Sequence, residues 1–306
     1  MLEAMLATSG KKTGSGWIKQ DAKYGATLQL ASGVLLRDNL YLVGGNYQGT
    51  TWKSELLKLN EVTQKFDVIG NFSQIGQAPD AWIDRSNTIN WTSSFNTSTV
   101  FTWNPNIPAS VFNGGSINNH SYYRKAIPYT NNMDAAGTNK VYFFGNDTNG
   151  NLMMYNRQNL SNSVVVTNFP LHGRHAAAVI LNEKMYVFGG DTGGTPSNKA
   201  TKFDPATNVF TVLAAMPTAR FGAAVVAIDD DTIHVIGGSN VANATLSTTA
   251  DVVLEYKIST NTWKTLPDKF PMKVLYAAYA SNSNVAFIAG GYFNTTGDVY
   301  KLTYPK

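Results

Sequence analysis

Cysteine is absent from the 306 residues. That excludes disulfide staples, thiolate metal sites and cysteine nucleophiles together. Charge is also scarce: Lys, Arg, Asp and Glu make up 14% of the chain, and the net charge is +4 with no block of Lys or Arg. So small and scattered an excess gives nucleic acid no basic stripe to follow, and no nucleic-acid partner is expected. No run of about 18 apolar residues occurs, and Met1 to Gly16 lacks a basic segment followed by an apolar core, so neither a membrane span nor a leader is expected. The 20 acidic residues leave few carboxylates for paired acid–base work.

What the chain has instead is turn chemistry and aromatic rings. Glycine occurs 26 times and aromatic residues make up 12% of the sequence, a mixture that suits many short strands joined by turns. Asn-x-Ser/Thr sequons stand at Asn71, Asn90, Asn96, Asn119, Asn146, Asn159, Asn243 and Asn294. They would fit an extracellular glycoprotein whose leader was removed; otherwise a cytoplasmic location is expected.

Comparing the sequence with itself reveals a repeat. Apolar strands ending in Gly-Gly recur at Leu40–Gly45, Met185–Gly190, Ile233–Gly238 and Ala286–Gly291, with a degenerate copy at Val141–Asn146. From Gly145 onward the first glycines are separated by 44, 48 and 53 residues, whereas Gly44 and Gly145 are 101 apart, room for one hidden unit. A second signature follows the glycines. Leu59–Phe66, Phe203–Phe210 and Tyr256–Trp263 each run from a large apolar residue through a turn to an aromatic, the expected hairpin of two outer strands. A third precedes them: Lys23, Arg174, Arg220 and Lys273 each lead into a run of small residues, with Arg85 and Arg124 as weaker counterparts. Small residues belong on an innermost strand, where sheets crowd around an axis.

The order of basic residue, small-residue strand, Gly-Gly strand, turn and aromatic resembles the Kelch repeat family. Clear copies occupy about 17–70, 172–213, 218–266 and 273–306; a weaker one precedes 172, and the hidden one falls in roughly 82–127, with strands expected at 87–91, 99–103, 109–113 and 121–124. The resemblance implies an all-β, six-bladed Kelch-type β-propeller spanning 1–306 as one domain. The last copy stops without its outer aromatic strand, so the segment Gly16–Gln20 is expected to complete the C-terminal blade.

Function is expected on the loops. Most Kelch propellers serve as protein-binding platforms, so the resemblance implies a monomeric interaction module for a protein or glycan partner, without cofactor or catalysis. The galactose-oxidase-like branch needs a tyrosine crosslinked to cysteine, which this chain cannot make. Sialic-acid epimerases are six-bladed Kelch propellers and supply the alternative, an enzyme acting on an anionic sugar. Lys23, Arg85, Arg174, Arg220 and Lys273 are the candidate ligand-binding residues, expected to gather at one mouth of the channel and draw an anion. The competing reading is that each bonds carbonyls or an acid of its own blade. His172 and His175 are too close in an extended segment to make a metal pair, and His234 alternates within a strand. Asp229–Asp231 reads as a hairpin turn, since the spacing of a calcium loop is missing.

Overall fold

The structure is a computed structural model and describes residues 16–24, 28–47, 51–72, 79–83, 87–92, 99–107, 111–116, 125–129, 140–144, 151–156, 159–168, 172–207 and 209–304. Every named element is a β-strand, and no described helix is long and apolar enough to cross a membrane. The molecule is an all-β propeller.

Among the described residues the strands form six four-stranded antiparallel sheets, with two small ribbons between them. The first comprises Ser32–Leu36, Asn39–Val43, Glu55–Asn60 and Lys65–Asn71. The second lies within 80–116, the third within 125–168, the fourth within 177–212 and the fifth within 224–265. The sixth pairs Ala278–Ser281, Val285–Ala289 and Asp298–Thr303 with Ile18–Lys23. Innermost strands lie against their neighbours in order, and Ala278–Ser281 touches Ser32–Leu36, so that the last inner strand meets the first.

Each core fills the space between two adjacent sheets. Val34, Tyr41 and Leu56 of the first sheet pack on Trp91, Phe101 and Trp103 of the second. Tyr186 and Phe188 of the fourth meet Val225, Ile233 and Tyr256 of the fifth. The first and sixth sheets share Leu40, Leu42, Phe287 and Val299. Facing sheets at this spacing leave little room near the axis, which is why inner strands carry Ala177, Ala178, Ala224 and Ala278, all buried.

The Gly-Gly pairs are the seams between these sheets. The second glycine donates its N–H to the segment preceding the next inner strand: Gly190 to Arg220 O at 2.8 Å, Gly238 to Val274 O at 2.7 Å and Gly291 to Leu28 O at 2.6 Å. The first glycine lies against the same segment. A Cβ on Gly189 would stand 2.1 Å from Arg220 O, and one on Gly237 would stand 2.4 Å from Val274 Cβ. Both glycines also have φ between +65° and +103° at the fourth sheet, a region that costs an L side chain about 1–2 kcal/mol. Close approach and left-handed backbone thus both demand glycine.

The N-terminal strand closes the sixth sheet as expected. Ile18 pairs with Lys301 and Lys19 with Tyr300 in antiparallel register, while Trp17 is fully buried with its ring 5.2 Å from Phe270. The hidden unit is the second sheet, shifted from the expected bounds: its inner strand is Asp80–Ile83, and Val111–Ser116 replaces the expected 109–113. The strand expected at 121–124 lies outside the described residues.

Candidate functional site

The segments before the inner strands and those after the glycines meet at one end of the propeller. Arg174 and Asp191 exchange both backbone hydrogen bonds at 2.8 Å, Phe221 and Ser239 do so at 3.0 Å, and Tyr292 N donates to Leu275 O at 2.7 Å. This pairing gathers the long post-glycine loops around the channel mouth. The opposite end is made of short hairpins whose polar groups satisfy one another. Asp229 accepts from Asp231 N and Thr232 Oγ1, Asp231 accepts from Ser259, and Asp38 accepts from Asn282 and Asn284. Asp229–Asp231 is the hairpin turn that the sequence indicated.

Two residues before four of the inner strands the backbone turns left-handed: φ is +58° at Leu30, +58° at His175, +65° at Gly222 and +55° at Tyr276. These residues bond one another around the mouth. Leu30 N donates to Tyr276 O, Tyr276 N to Gly222 O, and Gly222 N to His175 O, at 2.9 to 3.0 Å. Three of the four are not glycine, so strain of about 1–3 kcal/mol per residue is held in place by this chain of bonds. Their side chains build a ladder of rings. His175 lies 4.6 Å from Tyr276, Phe221 lies 6.0 Å from Tyr276, and Tyr276 leads to Tyr292 at 6.5 Å, which abuts Phe293 at 4.8 Å. Tyr292 is 44% exposed, and Val241 and Leu246 are exposed on the neighbouring loop.

Inside the mouth, an apolar cavity of about 210 Å³ follows the inner strands. Gly33, Trp82, Ala178, Val225 and Tyr279 line it, and the Tyr279 hydroxyl accepts a hydrogen bond from Ala178 N at 3.2 Å. Its described lining includes no carboxylate and no histidine.

The basic residues do not occupy equivalent places, which corrects the register read from the sequence. Arg174 precedes the inner strand starting at Ala177 by three residues, Arg220 precedes that at Ala224 by four, and Lys273 precedes that at Ala278 by five. Lys23 ends the outermost strand of the sixth sheet, opposite Asp298, and the first inner strand begins only at Ser32. The Lys23 side chain, Arg85 and Arg124 lie outside what the structure describes. Arg174 is half-exposed and pairs with Asp191 at 3.3 Å. Arg220 is buried and donates from Nη1 to Gly237 O at 2.8 Å. Burial pushes its guanidinium below the usual value, and Asp251 pushes it back up. Lys273 stands 3.9 Å from Asp251, which Lys269 also approaches at 3.4 Å. Among the described residues, Arg220 and Lys273 share a cavity of about 420 Å³ beside the fifth sheet.

The histidines divide. His172 is buried, with Nδ1 2.7 Å from Gly189 O and Nε2 3.0 Å from Thr201 Oγ1. A neutral ring donating from Nδ1 and accepting at Nε2 satisfies both, and burial pushes its pKa down to about 4. His175 is part of the aromatic ladder. His234 faces Glu255 across a strand pair at 3.4 Å, and burial lowers its pKa. Among the described residues no cluster of three His, Asp or Glu could hold a metal. No local pattern announces the ladder, because Phe221 belongs to one repeat and Tyr276 and Tyr292 to the next, at different offsets. Their one sequence signal was position beside the repeating small-residue strand.

Comparison with known proteins agrees with this architecture. The Kelch motif model matches residues 172–217. Over 125 residues, 38% of this chain and 27% of the relative, the sequence is 33% identical to Kelch-like protein terF of Aspergillus terreus. It is 29% identical over 140 residues to human Kelch domain-containing protein 10, covering 41% of this chain and 31% of that protein. It is 32% identical over 130 residues to Kelch repeat and BTB domain-containing protein 2 of cowpox virus, 40% of this chain and 22% of that one. The matched segment therefore spans about a third or less of these relatives.

Proposed function

Because the chain is a Kelch-repeat protein, we propose that it is a six-bladed propeller over 1–306 whose post-glycine face docks a protein partner. Six four-stranded sheets and the contact between the last inner strand and the first support the blade count. The observation that carries the docking reading is the aromatic ladder ending in exposed Tyr292, with Val241 and Leu246 also exposed on the post-glycine loop of the fifth sheet. Tyrosine offers a large contact area at low entropic cost and is enriched where interfaces concentrate their energy. The strained backbone beneath it holds the rings in one arrangement, so little ordering remains to be done on binding. Other exposed apolar residues, such as Val62 and Val212, lie singly on turns or outer strands and form no such array.

The docking reading is tested by affinity capture with the full chain followed by binding of the recovered protein to Tyr292→Ala with Leu246→Asp. A loss of about tenfold or more in affinity is expected, with Asn182→Ala on the opposite hairpins unchanged. Equal loss from both faces, or from neither, would refute it.

A further inference from the structure

The cavity beside the fifth sheet differs from the channel in kind. Its 420 Å³ are lined by Arg220, Lys273, Asp251 and the neutral polar residues Thr218, Asn240 and Ser247, with other loop hydroxyls beyond. That volume lies in the range of about 300–1,000 Å³ typical of small-molecule sites. Arg220 is 7% exposed, yet its side chain makes one hydrogen bond, to Gly237 O, and its Nε has no partner among the described residues. A buried cation so sparsely bonded is costly unless an anion joins it.

The neighbouring sheet shows what compensation looks like. After its Gly-Gly pair the fourth sheet has Asp191, which pairs with Arg174; the fifth has Ser239 there, opposite Phe221, so Arg220, one residue earlier, meets no such acid. Among the described residues no carboxylate oxygen comes within 4 Å of Arg220, and Asp251 is engaged by Lys269 and Lys273. Within the lining Arg220 and Lys273 face one carboxylate, which Lys269 also approaches from outside, so positive charge is in excess and the cavity favours an anion. Thr218 and Asn240 make no side-chain hydrogen bond among the described residues, which leaves donors and acceptors for ligand hydroxyls.

We propose that this cavity binds a small polyhydroxylated carboxylate, with its charge beside Arg220 and Lys273 and its hydroxyls on Thr218, Asn240 and Ser247. The cavity shares the 239–249 loop with Val241 and Leu246 but excludes Tyr292, so Tyr292→Ala alone separates this reading from the docking one. The probe is glucuronate, titrated calorimetrically and by ligand-observed NMR into the full chain at low salt, with glucose and inorganic phosphate as controls. Glucuronate is expected to bind at least about tenfold more tightly than either control. Lys273→Ala should weaken it about tenfold. Thr218→Val keeps the charge and should weaken it by about threefold, while Tyr292→Ala leaves it unchanged. Arg220→Lys, if folded by circular dichroism, should bind more weakly than the parent. Absence of glucuronate binding at millimolar concentration, equal binding of glucose or phosphate, or indifference to Lys273→Ala would each overturn the proposal.

Discussion

Two Gly-Gly pairs in the fourth repeat look alike in sequence and behave oppositely in the fold. Gly189-Gly190 sits in a seam where a Cβ on the first would meet Arg220 O at 2.1 Å. Gly193-Gly194, a few residues on, also has positive φ, but a Cβ on Gly193 would meet nothing within 4 Å and one on Gly194 only Ala242 at 3.9 Å. The dipeptide therefore reports a backbone shape and not a place. Where the neighbouring sheet approaches, glycine holds the ring together; in the rim loop it only shapes a turn.

That contrast predicts a graded set of effects. Gly237→Ala should be the most damaging, at about 4 kcal/mol or more, since strain in φ adds to a clash with Val274; urea unfolding would reveal a smaller loss if the seam can open. Trp17→Ala should cost about 3–5 kcal/mol for a fully buried ring at the closing strand, read as a drop in the denaturant midpoint.

Acid acts on the same seam through His172. Its folded pKa of about 4 lies below the ordinary 6.5, so the unfolded chain binds the proton more readily. Stability from this group is complete above about pH 6.5 and falls as pH drops towards 4, by about 3 kcal/mol in total. His172→Asn should flatten that part of the pH–stability curve; an unchanged slope would show that other groups set it. At the rim the effects should be small. Gly193→Ala is expected to cost about 1 kcal/mol, from φ alone. Tyr292→Ala should stay within about 0.5 kcal/mol in stability while weakening partner docking. If Gly193→Ala proved as harmful as Gly237→Ala, the distinction between seam and rim would fail.

The fold was legible where the repeat carried its own register. Gly-Gly strands, the outer hairpins at Leu59–Phe66 and Tyr256–Trp263, and closure by the N-terminal segment all followed from spacing. The site was less so. Arg174, Arg220 and Lys273 look equivalent because each precedes small residues, but the offsets of three, four and five turn their side chains to different surroundings. His172 finds Gly189 and Thr201 at separations of 17 and 29 residues, and no local pattern announces such partners. The aromatic ladder likewise exists only once the sheets stand side by side.

Closure of the sixth sheet also sets a clock. Ile18–Lys23 finds its partner in Asp298–Thr303, so during synthesis that strand waits while all the residues between the two are made. At about 5–20 residues per second this is on the order of fifteen seconds to a minute. Through that interval the ring is an open horseshoe with unpaired strand edges at both tips, a template for mispairing between nascent chains. A protein with this clasp is most vulnerable before the two strands meet, and its yield should depend on how quickly Asp298–Thr303 arrives.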